Sequence, residues 1–456
     1  MTSVDGKTTG IWRGVVRGRS GGGKGGEESA GCGAPRSVGM GSWLLPLLRG
    51  VLLFGILCAL SSPCRAAGEG EYHTPLAGEP GRVLFMGRAV DIPAVDRSRM
   101  NSITLGASLL DPPQGQTSAL PVAAFFHRRV NERSHARAMI ALFVNEIEYD
   151  RDAGGVDVVA QFENETLPVA EREIRHGEEV RGTALYFGTL VGSAGVGYRA
   201  PVSPFQVDND LRVQLLARAG YFYAHREGDT SPGLWVPPDT ALYGARLRCR
   251  IDGLRRNLLE LPHKGLAAGF DVDLTHRDRW RGEEGDSGNR NYTQIRGHLV
   301  GAYGVPGIAS ERDRILFALY GGITGAGRGD RFNAFRINGA PFPSEQYDLA
   351  WPHYGGLVFD QVLAQGYATA TAGYRRELTF FLYLSALGSY IWADRSRAEA
   401  VDRVGFKDRQ GGAATVALDS AFLWNSSLYL AWSYESGVMR DGRSGIGFTL
   451  MWNKLL

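Results

Sequence analysis

Three arginines at alternate positions, Arg246, Arg248 and Arg250, project three guanidinium groups from one side of an extended segment. Asp271 and Asp273 repeat the same spacing one segment later. Such cations either hold carboxylates or attract anions. Paired across neighbouring antiparallel strands, the five residues make a salt-bridge ladder. Facing a pore, the arginines make a basic wall that selects anionic solutes. Both readings stay open, and the surplus of arginine over aspartate leaves a positive field in either.

The elements that carry these charges are long strands. Leu211, Val213, Leu215, Ala217, Ala219, Tyr221 and Tyr223 alternate with polar residues such as Arg212, Gln214 and Arg218. Tyr243, Ala245, Leu247, Cys249 and Ile251 alternate with the arginine triplet, and Leu266, Ala268, Phe270, Val272 and Leu274 alternate with Gly269, Asp271, Asp273 and Thr275. Period-2 alternation of this length is β-strand. One face is apolar throughout and the other carries opposite charges. A secreted β-sandwich or propeller also alternates, but membrane-spanning strands run about 9–11 residues with Trp or Tyr near the interfaces, and that pattern recurs here.

The 456 residues carry a formal charge of +2 and include 62 glycines, which suits many turns and closely packed strands and argues against nucleic acid as a partner. Residues 1–39 are Gly-rich and basic without periodicity, and read as disordered or as an extension ahead of the true start at Met40. An apolar run from Trp43 to Leu60, followed by Ser61, Ser62, Pro63, Cys64, Arg65, Ala66 and Ala67, has the pattern of a cleavable signal over residues 40–66; a transmembrane anchor is the alternative. Cleavage there leaves Cys249 as the one cysteine, so no intramolecular disulfide forms. Residues 67–81 form a short periplasmic lead, and 82–456 are assigned to the barrel.

The expected strands are Arg82–Gly87, Asn101–Leu110, Leu120–Arg128, Arg137–Tyr149, Val156–Glu163 and Thr183–Tyr198, the three above, then Tyr292–Tyr303, Arg314–Thr324, Tyr367–Arg375, Leu378–Trp392, Gly412–Trp424, Leu428–Glu435 and Ser444–Asn453. They number about sixteen, an even count as bacterial single-chain barrels require. Through the C-terminal half the links alternate short and long, the longest running from Gly325 to Gly366. Tyr390, Trp392, Trp424, Trp432, Tyr434 and Trp452 fall at strand ends, as interfacial girdles do. The expected fold is all-β, a transmembrane antiparallel β-barrel of about sixteen strands.

With that count, the longest loop joins strands eleven and twelve. It carries Phe335, Arg336, Ile337, Asn338 and Gly339, and the next strand ends in Tyr374, Arg375 and Arg376. In these residues, within 314–376, the chain resembles the bacterial surface-antigen superfamily of barrel-assembly insertases and two-partner-secretion transporters. The resemblance implies a loop folded back into the lumen, with Arg331 or Arg336 set against strand carboxylates such as Asp419 or Glu435. It also implies a barrel for transport or assembly of substrates across or into the outer membrane, with a periplasmic protein or lipid client. Two departures stand out. The superfamily's arginine-glycine-aromatic loop tip is replaced by Pro341–Tyr347, and there is no room for periplasmic substrate-binding repeats.

Catalysis finds little footing. Tyr292, Thr293, Gln294, Gly297 and His298 are similar to the motif of outer-membrane phospholipase, but Val300 stands where that chemistry needs serine. His298 is expected to be a hydrogen-bonding lumen residue. Nine histidines are scattered without metal-ligand spacing, and Cys249 falls on the lipid face. The expectation is a non-enzymatic, monomeric barrel in outer-membrane lipid, with no metal or cofactor. A general diffusion porin and a surface adhesion barrel are the alternatives.

Overall fold

The computed structural model describes residues 72–456 except 115–116, 143, 167–169, 203–206, 282–289, 328, 338, 340, 343–347, 356–361, 401–403 and 423–424. The extension over 1–39, the signal over 40–66, residues 67–71 of the lead, Asn338, Trp424 and Pro343–Tyr347 of the loop tip lie outside the described residues.

Two short strands, β1 (Gly81–Phe85) and β2 (Arg88–Ile92), form a hairpin of their own. Sixteen strands then close a barrel. They are β3 (Arg99–Gln114), β4 (Thr117–Asn131), β5 (Ser134–Ala141), β6 (Val144–Asp152), β7 (Asp157–Thr166), β10 (Leu185–Pro201), β11 (Asp210–Arg226), β12 (Thr240–Asp252), β14 (Pro262–Arg277), β15 (Asn291–Gly304), β16 (Asp313–Thr324), β18 (Val362–Thr379), β19 (Leu382–Ala398), β20 (Val404–Phe422), β21 (Ser426–Glu435) and β22 (Gly445–Leu455). The remaining pieces, β8 (Ile174–Arg175), β9 (Glu178–Glu179), β13 (Arg255–Arg256) and β17 (Phe335–Ile337), belong to loops and turns. All pairings are antiparallel, and β22 closes on β3 from Ile446↔Asp111 to Leu455↔Ser102.

The alternation explains closure. Outward positions such as Leu247, Phe270, Leu274, Leu319 and Phe448 remain exposed, while their inward neighbours are buried. A closed barrel with an oily exterior has no unpaired sheet edge, which is what a hydrocarbon surrounding demands. Tyr390, Trp432 and Tyr434 are exposed on the outer face.

Two strand expectations need correction. Arg82–Gly87 is not in the barrel: the chain reverses at Met86 and Gly87, both at positive φ, so its alternation is used up in the hairpin and the barrel starts at Arg99. Arg137–Tyr149 is two strands rather than one, because the chain turns between Ala141 and Val144. The errors offset, and the count survives. Likewise the turn expected near Arg376 and Glu377 lies at Phe380 and Phe381, so β19 starts at Leu382.

The core sits inside the barrel. From the β16–β18 loop, Phe335, Ile337, Phe342 and Tyr354 pack with inward wall residues Ala267, Val300, Ala302, Leu316 and Ala318, and with Leu254 beyond the end of β12. β17 pairs with β18, Phe335 opposite Ala364. The loop then comes so near the far wall that a Cβ on Gly355 would lie 2.8 Å from Thr415 Oγ1. Phe342 reaches the Arg375 guanidinium, 5.9 Å from its ring, close to the short-turn end of β18. A second cluster, with Phe187, Phe222, Trp280 and Phe332, fills the long-loop end.

The segment from Tyr72 to Arg97 crosses the short-turn end. Tyr72 and Thr74 donate to the Glu377 carboxylate, Thr74 at 2.6 Å. Ala77 N–H donates to Arg256 C=O at 3.0 Å. Arg97 binds Asp208 at 3.0 Å and Glu260 at 2.5 Å, and Asp208 also takes Arg128 and Arg256.

Candidate functional site: a charged lumen wall

Each charged side chain is aimed inward by the same pleat that aims Leu247 or Phe270 outward. The β12–β14 register sets Arg246 opposite Asp273 and Arg248 opposite Asp271. Arg246 Nε lies 2.5 Å from Asp273 Oδ1, Arg248 Nε 3.4 Å from Asp271 Oδ1, and Arg250 Nη2 2.9 Å from Asp271 Oδ2. Asp271 is 1% exposed and Arg248 2%, so these pairs are desolvated. A desolvated pair gains little net stability, but removing one partner strands a buried charge, at about 3–5 kcal/mol.

The arginines also reach strands that are not their neighbours. Arg246 donates to Glu163 on β7, and Arg248 Nη1 lies 2.9 Å from Glu148 Oε2 on β6. Arg250 Nη1 bonds both oxygens of Asp348, at 2.9 and 3.0 Å, which ties the long loop to the wall. Arg218 bridges Glu163 and Asp273 at 3.0 and 3.1 Å, and Arg296 meets Asp271 at 3.1 Å. Six arginines (212, 218, 246, 248, 250, 296) thus face six carboxylates (146, 148, 163, 271, 273, 348) among the described residues. The surplus positive field expected from the ladder alone is cancelled by groups from β6, β7 and the loop. Beside the network lies a cavity of ≈ 190 Å³, bordered by Glu146, Arg218, Arg296, Trp351 and Tyr367 among others.

The loop residues have partners other than those expected. Arg331 lies 3.1 Å from Glu173 and donates to the carbonyls of Thr183 and Glu171. Arg336 lies 3.4 Å from Glu171 and 3.6 Å from Glu165. Asp419 and Glu435 pair with neither. Glu435 takes Arg440 at 2.8 Å, because the β21–β22 loop that follows folds over it. Phe335 is buried against Tyr367, ring centroids 5.2 Å apart, and Gly339 lies in the same loop, half-buried. Arg375 is buried and donates to Pro262 C=O at 2.9 Å and Ser385 Oγ at 3.1 Å. His298 is buried and faces inward over Gly269. Cys249 is a free thiol on the outward parity of β12.

Outside the strands, Asp441 gathers Arg409 at 2.6 Å, Arg397 at 3.1 Å and Arg395 at 3.8 Å. Burial alone raises its pKa, but the Arg409 hydrogen bonds and the charges of Arg395, Arg409 and Arg397 outweigh it and hold the carboxyl below its ordinary value.

The chain matches no protein-family model and no curated protein. Among solved structures it is similar to BamA from Haemophilus ducreyi lacking POTRA domains 1–3, at 11% identity over 83% of this chain and 75% of that one, with a TM-score of 0.50. It is also similar to CdiB from Acinetobacter baumannii, at 10% identity over 83% and 66% with a TM-score of 0.45, and to the outer membrane channel DcaP of the same organism, at 9% over 78% and 96% with 0.37. The barrel is similar in fold to that of BamA. At such low identity the likeness is one of fold.

Proposed function

We propose that this protein is an outer-membrane barrel for transport or assembly of substrates across or into that membrane, exported by a cleavable signal, with a lumen plugged by the 325–366 loop. The observation that carries this reading is the loop itself: Ile337, Phe342 and Tyr354 are packed into the lumen core down to Leu254, and Asp348 is fixed to Arg250. A lumen so filled conducts only when the loop moves. The short-turn end, with Tyr72 and Leu456, then faces the periplasm, where a protein or lipid client would meet the Tyr72–Arg97 segment. On this reading the protein works as a monomer without catalysis or cofactor.

Single-channel conductance of residues 67–456 refolded into a planar bilayer tests it. The expected trace is mostly closed with brief openings, and deletion of Phe335–Gly355 should raise the conductance sharply. A steady ohmic open level in the intact chain would refute the plug and favour a diffusion porin.

A further inference from the structure

At the short-turn end, strands β3 to β6 carry arginine on the outside of the barrel. Arg99 and Arg129 are direct cross-strand partners, and both are exposed. Their parity is that of Leu105 on β3 and Phe125 on β4, which face out, while Ser102, Thr104 and Arg128 of the opposite parity are buried inside. The row continues from Arg129 to Ala136 on β5 and Tyr149 on β6, and Arg151 lies opposite Ser134 one row nearer the end. Arg133, in the turn between β4 and β5, is exposed as well. Asn131, Arg133, Ser134, Tyr149 and Arg151 line a shallow groove here.

Two arginines set directly opposite each other repel. Among the described residues, Arg99, Arg129, Arg133 and Arg151 make no ion pair that would offset this. The carboxylates nearby are engaged by backbone and hydroxyl groups. Asp96 accepts from Ser98 N–H and Oγ, both at 2.8 Å, and Asp152 from the N–H groups of Gly154 and Gly155 at 3.1 and 2.7 Å. Glu132, exposed in the turn, sets a single carboxylate beside four guanidinium groups. Arg376 provides the contrast: it shares the outward parity of Leu378 at the same end of β18, yet it is paired with Asp313 at 3.1 Å.

We propose that this patch binds an anionic phospholipid of the periplasmic leaflet, its phosphate held between Arg99 and Arg129 and its acyl chains laid along the apolar face above. The planar guanidinium fork matches phosphate oxygens in pairs, and arginine on a lipid face costs least close to an interface. The apolar face is continuous with the patch. Ile147 is the next outward residue from Tyr149 on β6, Ile140 follows on β5 and Leu105 on β3, and all three are exposed. Tyr149, 45% exposed in the arginine row, is a residue type that sits at headgroup level. A free phosphate would meet the arginines but gain nothing from this face. From the reading above, the proposal takes only that this end meets the periplasm.

The full chain is refolded in a non-ionic detergent and examined by native mass spectrometry with phosphatidylglycerol and phosphatidylcholine at equal concentration. One phosphatidylglycerol should be retained in preference to phosphatidylcholine. The double variant Arg99→Gln with Arg129→Gln should weaken that retention about 30-fold. Arg88→Gln with Lys264→Gln removes the same charge from exposed positions at this end but outside the patch, and should leave retention unchanged. Heat-modifiable gel mobility confirms that each barrel is folded. Equal retention of the two lipids overturns the proposal. So does phosphatidylglycerol retention that survives in the folded Arg99→Gln/Arg129→Gln chain, or an equal loss in the control pair. Displacement by equimolar inorganic phosphate would overturn the lipid in favour of a free anion. None of these readouts involves conductance, so an ohmic channel would remove the plug and leave this site standing, and failure to retain lipid would do the reverse.

Discussion

The two halves of the lumen wall satisfy their buried polar groups in opposite ways. From β6 to β15 the inner face is ionic, and its bonds skip strands: Arg248 on β12 reaches Glu148 on β6, Arg246 reaches Glu163 on β7, and Arg250 reaches the loop at Asp348. From β18 round to β3 the inner face carries many hydroxyls, and the bonds of those hydroxyls join adjacent strands, whereas Arg375 near the short-turn end reaches Pro262 C=O on β14. Thr371 meets Ser389 at 2.8 Å, Thr415 meets Ser433 at 2.9 Å, and Ser108 meets Thr449 at 2.7 Å. Short side chains can reach only the next strand; arginine can reach several away. One half is therefore a network whose members depend on one another, and the other is a row of independent pairs.

Breaking the ionic half should have the largest effect. Reversing Asp271 and Asp273 to Lys removes the partners of Arg218, Arg246, Arg248, Arg250 and Arg296, and each uncompensated buried charge costs about 3–5 kcal/mol. The urea midpoint of the refolded barrel should drop steeply, or folding should fail; an unchanged midpoint would show that the network does not hold the wall.

A middle-sized effect should come from the loop that joins the two halves. Burial pushes the His353 imidazole down to about 4, from an ordinary value of about 6.5. Between those values the unfolded chain takes up a proton that the folded one refuses. Stability is thus full above about pH 6.5 and declines by up to about 3 kcal/mol as pH falls toward 4. Thermal unfolding across this range should show the slope in the wild type and a shallower one in His353→Gln. Equal slopes would remove His353 from the account.

The hydroxyl half should yield least. Thr415→Val removes one hydrogen bond to Ser433, worth about 1 kcal/mol, with no effect on distant strands. A loss as large as that of the charge reversal would dissolve the contrast between the halves.

Much of this was legible in the chain. Period-2 alternation located most of the barrel strands, and the ladder partners could be paired because Arg246, Arg248, Asp271 and Asp273 lie on adjacent strands, where register follows from pattern. What lay further off was not legible. Glu146, Glu148 and Asp150 repeat at the same spacing as the arginines, but with Arg137–Tyr149 read as one strand their face could not be assigned. The partners of Arg331 and Arg336 come from Glu171, Glu173 and Glu165, whose positions depend on how a loop folds, which no periodicity encodes.

The segment that straps the short-turn end has a consequence for the order in which the molecule is made. Tyr72 and Thr74 find their carboxylate at Glu377, 305 and 303 positions later. Arg97 needs Asp208 and Glu260. Contacts so remote in sequence carry the largest loop-closure cost and form after the strands between them are in place. The residues of the Tyr72–Arg97 segment are thus among the last to dock although they come early in the chain, and until they do, the charges of Glu377, Asp208 and Arg256 lack their full set of partners.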